Sequence, residues 1–198
     1  MTAGRAGIAD AISVIQCTTR TVPDLHHPYR MSPALPPLIV EQDAFRVSRE
    51  SGLLVCELHA AVAVCVYDDT QGVGGLLHLR YVATSNDQAL DLTDNTLSSD
   101  LLLMDRFCKE LRKIGARKQS WRVDLIGHTP EECGMDEPAA TVLDLVKAYF
   151  ADSRRAVGCK EIRRRVGLTV RMDSREGKIW VTGIGDRPAA ATPRLATA

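Results

Sequence analysis

Two residue types in this chain can do covalent chemistry together: six cysteines and five histidines. A thiol becomes a useful nucleophile when its pKa is lowered, and a neighbouring imidazole can do that while passing protons. The stretch "ELHAAVAVCVYDDTQGVGGLLHL", Glu57 to Leu79, is a frame for such a pair. It reads as an apolar strand, a polar turn and a second apolar strand that carries His78 near its end. The cysteines stand at positions 17, 56, 65, 108, 133 and 159, and none makes a CxxC pair. Most lie inside apolar runs, so reduced thiols in a cytoplasm are the simplest reading. No ligand spacing supports a zinc site. His26 and His27 could hold a metal, but a solvated pair in a proline-rich loop is the plainer reading. No metal and no cofactor is expected.

The elements that must position these groups follow from periodicity. "AFRVSRE" alternates and reads as a short strand, with Ser51 and Gly52 punctuating it. "LLVCELHAAVAVCVYD" reads as one long run of β-structure, mostly buried on both faces, and "DDTQGVGG" as the turn after it. "GGLLHLRYV" returns antiparallel, and Gly74 and Gly75 leave room for another backbone or a substrate to come close. After a polar loop, Ser98 or Ser99 can cap a helix over "DLLLMDRFCKELRKIGA". Its apolar stripe runs through Leu101, Leu102, Met104, Phe107, Cys108 and Leu111, and Gly115 ends it. "SWRVDLIG" is a strand, "EPAATVLDLVKAYFADS" a second amphipathic helix with Pro138 in its first turn, and "GLTVRMDSREGKIWVTGI" a closing hairpin. The order predicts a single layered α+β domain, with a mixed or antiparallel sheet and two main helices on one or both faces.

That domain is expected over residues 37–184. Residues 1–36, with five prolines in "TVPDLHHPYRMSPALPPL", read as a flexible tail, and 185–198 as a disordered one. Lys+Arg and Asp+Glu both number 25, so the formal charge is zero. That balance argues against a general nucleic-acid or membrane-surface binder, and it favours a partner that covers some surface. No apolar run approaches the roughly 20 residues needed to span a bilayer, and no signal peptide is legible. The basic run "CKEIRRR", with Lys160, Arg163, Arg164 and Arg165, reads either as a solvated loop or as a contact for an acidic partner. It lacks the aromatic neighbours of a nucleic-acid site.

With these elements in order, the chain resembles the CheD family, the chemoreceptor glutamine deamidases of bacterial chemotaxis, over roughly residues 38 to 183. Family members carry a stretch like "TLGSCVAVCLYD", a glycine-rich turn and "GGMxHxxLP". The counterparts here are "CELHAAVAVCVYD" and "GVGGLLHLRYV", anchored by Val62 to Asp68, then Gly74, Gly75 and His78. "LLLMDRFCKELRKIGARKQSWRVDLIG" resembles the family helix and strand ending in "GAxxxxLxAKxFGGA", and "TVRMDSREGKIWV" is similar to "KVxFxxxTGxVWV".

The resemblance implies a Cys–His hydrolase. A thiolate attacks the side-chain amide of a receptor glutamine, ammonia leaves, and water resolves the thioester to glutamate. His78 falls on the family histidine, and Gly74 and Gly75, the candidate substrate-binding residues, on the family's glycine pair. The family's "GSC" falls on His59-Ala60-Ala61, so alanine stands at the nucleophile position and histidine at a glycine. The upstream family threonine falls near Val55 or Cys56. Cys65 shares the face of Ala61 but lies about 13 Å along the strand, which suits core packing. Cys56 is the best substitute thiol, on the opposite face of a regular strand unless a bulge turns it inward. The family's "LP" after the histidine has become Tyr81-Val82, its "GGxxxR" has become "RRRVGL", and "GMDEPA" replaces its "GERN". The expectation is therefore a cytoplasmic chemotaxis protein. Its partners would be chemoreceptor cytoplasmic helices or a CheC-type phosphatase. It would act as a binding pseudoenzyme, or alternatively as a deamidase using a displaced thiol such as Cys56. An interaction domain that has left chemotaxis is the third reading.

Overall fold

Side-chain alternation along one strand, β4 (Ala61–Asp68), divides the core in two. All eight of its residues are buried. Val62, Val64 and Val66 face one cluster, while Ala61, Ala63, Cys65 and Tyr67 face another. A strand buried on both faces must have layers on both sides, and this one does. The computed structural model describes residues 36–81, 95–131, 136–151 and 157–185. The tails expected at 1–36 and 185–198, the polar loop after Tyr81, His26, His27, Cys17 and Cys133 lie outside these residues, apart from Pro36 and Gly185 at the margins.

The fold is α+β, a single domain with two mixed sheets and two helices among the described residues. One sheet has five strands: β2 (Ala44–Ser48), β5 (Val73–Arg80), β4, β6 (Trp121–Thr129) and β7 (Gly158–Arg163), in that spatial order. The other has four: β1 (Leu38–Ile39), β3 (Leu53–Leu58), β8 (Leu168–Asp173) and β9 (Ile179–Gly183). Pairing is antiparallel except for β1 on β3 and β6 on β7. Helix α1 (Asn95–Lys113) and helix α2 (Asp136–Phe150) cover the outer face of the five-stranded sheet. The four-stranded sheet covers its inner face through Leu54, Cys56, Leu58, Leu168, Val170 and Met172. Each such side chain, fully buried, contributes about 1.5–3 kcal/mol relative to exposure.

The structure corrects the sequence reading in several places. The run 53–68 is two strands in two different sheets, broken at His59-Ala60. Ala60 has φ 52°, a left-handed backbone that turns the chain from one layer to the next. Helix α1 starts at Asn95, so Ser98 and Ser99 lie inside it and do not cap it. Met104, Phe107, Cys108 and Leu111 form the buried stripe, but Leu101 and Leu102 are exposed. Gly115 ends the helix as anticipated, with Ala116 N–H on Leu111 O and its own N–H on Arg112 O. The basic run is mostly strand: β7 sits at the edge of the five-stranded sheet, parallel to β6 and reached through α2. Lysine and arginine on an open edge also guard it against pairing with other chains.

Candidate functional site

Register sets the site. On β4 and β5, Ala63 lies opposite His78 and Ala61 opposite Arg80. Ala61 and His78 are therefore diagonal neighbours on the same face, about 7 Å apart, within reach of an imidazole. Both are buried in the layer between the sheets, Ala61 1% and His78 4% exposed. The contact between His78 Nδ1 and the Val40 carbonyl, 3.4 Å, puts the ring proton on Nδ1. The Nε2 lone pair is buried and has no hydrogen-bond partner among the described residues. Burial holds the His78 pKa below the usual imidazole value. The Val40 carbonyl and the nearby Asp43 and Glu41 oppose that shift, and His59 adds to it. The group is a neutral imidazole whose Nε2 takes no hydrogen bond from the described residues, which is the state a general base needs. What stands diagonal to it is a methyl group.

Cys56, the substitute thiol named from the sequence, is a buried strand residue. It sits on β3 in the other sheet, opposite Val170, and is 1% exposed. It does face the layer between the sheets, because the break at Ala60 resets the alternation. Burial, with a smaller contribution from Glu57, pushes its pKa up to about 12. A nucleophilic cysteine needs the opposite shift. Cys65 is also buried in this layer, paired with Leu76 and Asp124, and burial pushes its thiol well up. Both cysteines pack the core.

Gly74 and Gly75 are likewise used for packing. A methyl on Gly74 would lie 2.6 Å from the Ser174 carbonyl oxygen, and one on Gly75 would lie 2.7 Å from Phe107 Cε2. The chain's own β8–β9 turn and helix α1 fill the space that the glycines open. The close approach anticipated at these glycines is made by the Ser174 backbone at Gly74 and by the Phe107 side chain at Gly75.

One residue at the site escaped sequence reading. His128, near the end of β6, lies opposite Ala61 in the register and is 1% exposed. Its Nδ1 accepts the Ala60 N–H at 3.3 Å, and its Nε2 lies 3.1 Å from the Arg164 carbonyl. Only knowledge that β6 pairs with β4 in this register could have singled it out. His59 is exposed at the same corner, against Gly167: a methyl there would lie 2.8 Å from the His59 ring. Three imidazoles thus surround the Ala61 corner. Among the described residues, no group of three His, Cys, Asp or Glu side chains is arranged to hold a metal ion. No helix among them is long and apolar enough to cross a membrane. No protein-family model matches the chain, and no curated protein matches it.

Proposed function

We propose that this chain is a CheD-like chemotaxis protein of the cytoplasm. It binds the cytoplasmic helices of chemoreceptors, or a CheC-type phosphatase, and does not deamidate glutamine. The motif resemblance supports the family. One observation supports the loss of activity: Ala61, which the resemblance puts at the nucleophile position, presents a methyl diagonal to the His78 Nε2, which has no hydrogen-bond partner among the described residues. A methyl has no lone pair, so no thioester forms and no ammonia leaves. The exposed basic end of β7 supports an acidic partner, although Glu161 and Glu131 already lie 3.6 and 3.8 Å from Arg163 and Arg165.

The test is ammonia release from a purified receptor cytoplasmic fragment, comparing the unaltered chain with Ala61→Cys. The unaltered chain should be silent and the variant active. Turnover by the unaltered chain would overturn the pseudoenzyme reading, and its loss in Cys56→Ser would assign the work to that thiol. Silence in both, with no binding to receptor fragments, would favour an interaction domain outside chemotaxis.

A further inference from the structure

His128 makes two hydrogen bonds that only one protonation state satisfies. The Ala60 N–H can only donate, so Nδ1 must be bare. The Arg164 carbonyl can only accept, so the proton sits on Nε2. The imidazolium would set an Nδ1–H against the Ala60 N–H and lose that bond.

These two bonds join three segments: the end of β6, the Ala60 corner between β3 and β4, and the loop between β7 and β8. The corner needs such a hold, because Ala60 has a left-handed backbone that alanine rarely adopts without support. The Ala60 carbonyl accepts the Tyr81 N–H at 2.8 Å, so the same residue is also tied to the chain leaving β5, three residues beyond His78. Ala61 follows at once. The β4–β5 ladder sets its register against His78, and the corner that leads into it is held at Ala60 by His128 on one side and Tyr81 on the other.

We propose that His128 is a positioning residue: as the neutral imidazole it fixes the Ala60–Ala61 corner against His78, and acid releases that corner. This rests on the reading of position 61 as the nucleophile position. The surroundings act in both directions, and the net shift is downward. Burial lowers the His128 pKa most. The backbone hydrogen bonds to Arg164 and Val166 oppose that, while the His59 imidazole and the Arg164 guanidinium add to the lowering. From β7, Ile162 lies opposite His128, and the Glu161 carboxylate is taken by the Thr129 hydroxyl at 2.8 Å. From β4 and β5 the neighbours are Ala61 and, beyond it, Arg80. No acidic group faces the ring from these elements.

Two measurements test the proposal. The first uses the unaltered chain and NMR: His128 nitrogen shifts report the tautomer, and Ala60 amide exchange reports the corner. The shifts should show Nε2–H at neutral pH, and Ala60 should lose about tenfold or more of its protection as His128 titrates. An Nδ1–H tautomer, or Ala60 protection indifferent to that titration, would overturn the proposal. The second measures the thiolate ultraviolet absorbance of Ala61→Cys against pH. The introduced thiol should titrate about one unit or more below the ordinary ~8.5, and His78→Ala should abolish that depression. Adding His128→Phe should remove most of it. His128→Asn, whose amide oxygen can take the Ala60 N–H, should restore part. An unchanged titration in His128→Phe, with native circular dichroism, would overturn the positioning role. An ordinary thiol pKa that ignores His78→Ala would instead overturn the reading of position 61, while Ala60 exchange still tests His128.

Discussion

At the scale of single residues, environment decides what a side chain can do. Cys56 and an ideal nucleophile share a thiol, but Cys56 lies between two sheets with its pKa pushed up to about 12. Its expected behaviour is that of a small apolar residue. The native chain should not react at Cys56 with a thiol reagent near neutral pH, whereas the unfolded chain should. Cys56→Ser should cost about 1–3 kcal/mol of stability, because it puts a hydroxyl into an apolar layer. Urea denaturation measures the loss, and mass spectrometry of alkylated peptides reads the protection. Fast native labelling of Cys56 would contradict the core assignment. His78 and His128 make the same point in imidazoles. Both are buried and both are held neutral, but among the described residues His128 bonds through both nitrogens and His78 through one.

At the scale of elements, one carboxylate joins the turn after β4 to the segment before β6. Asp68 is fully buried; its Oδ1 accepts from Thr70 N and Oγ1 and Gln71 N, and its Oδ2 accepts from Arg117 N at 2.6 Å. Burial pushes its pKa up, but the bonds from Arg117, Thr70 and Ser120 outweigh it and leave the carboxyl below its ordinary value. Asp68→Ala should cost about 1–3 kcal/mol, since it strands part-buried donors. Asp68→Asn should recover only part, because its amide must turn a donor toward one of these N–H groups. Equilibrium urea melts decide, and an unchanged midpoint in Asp68→Ala would refute the role. This turn was legible in the sequence, since Asp followed by Thr and Gly between apolar runs marks a hairpin. Most strands and both helices were legible for the same reason: their periods are local. The break at His59-Ala60 was not, because a left-handed alanine leaves no compositional mark. Strand β7 was hidden because an edge strand rich in Lys and Arg looks like a solvated loop. The exposure of Leu101 and Leu102 was hidden too, because the stripe of a helix does not say how far the covering sheet extends. The His78–Ala61 pairing was readable from one hairpin, but His128 needed a partner strand some sixty residues away.

At the scale of the whole molecule, acid stability is a contest between groups that burial shifts in opposite directions. His78 and His128 have folded pKa values below the unfolded ~6.5. The unfolded chain therefore binds more protons just below that pH. Their contribution is complete above ~6.5 and is lost as pH falls through the lower folded values. Asp100 runs the other way. It is 6% exposed on α1, and its Oδ2 has no partner among the described residues. Burial first, and Asp43 second, raise its pKa to about 6, with Arg80 pulling slightly down. Its folded form keeps a proton that the unfolded form has released above ~3.9, so stability falls as pH rises from there through about 6. Asp100→Asn copies the protonated acid and removes that penalty. The variant should melt a few degrees above the parent above pH ~6.5, roughly 2–5 °C for a domain of this size. The gap should close as pH falls toward ~4, where the parent carries the proton anyway. The variant should therefore lose stability more steeply on acidification, because the two histidines then act unopposed. Melting both proteins by calorimetry from neutral pH down to ~4 tests this. A gap that stays constant with pH would mean that Asp100 is ionised in its buried place, and that its neighbours, not a proton, neutralise it.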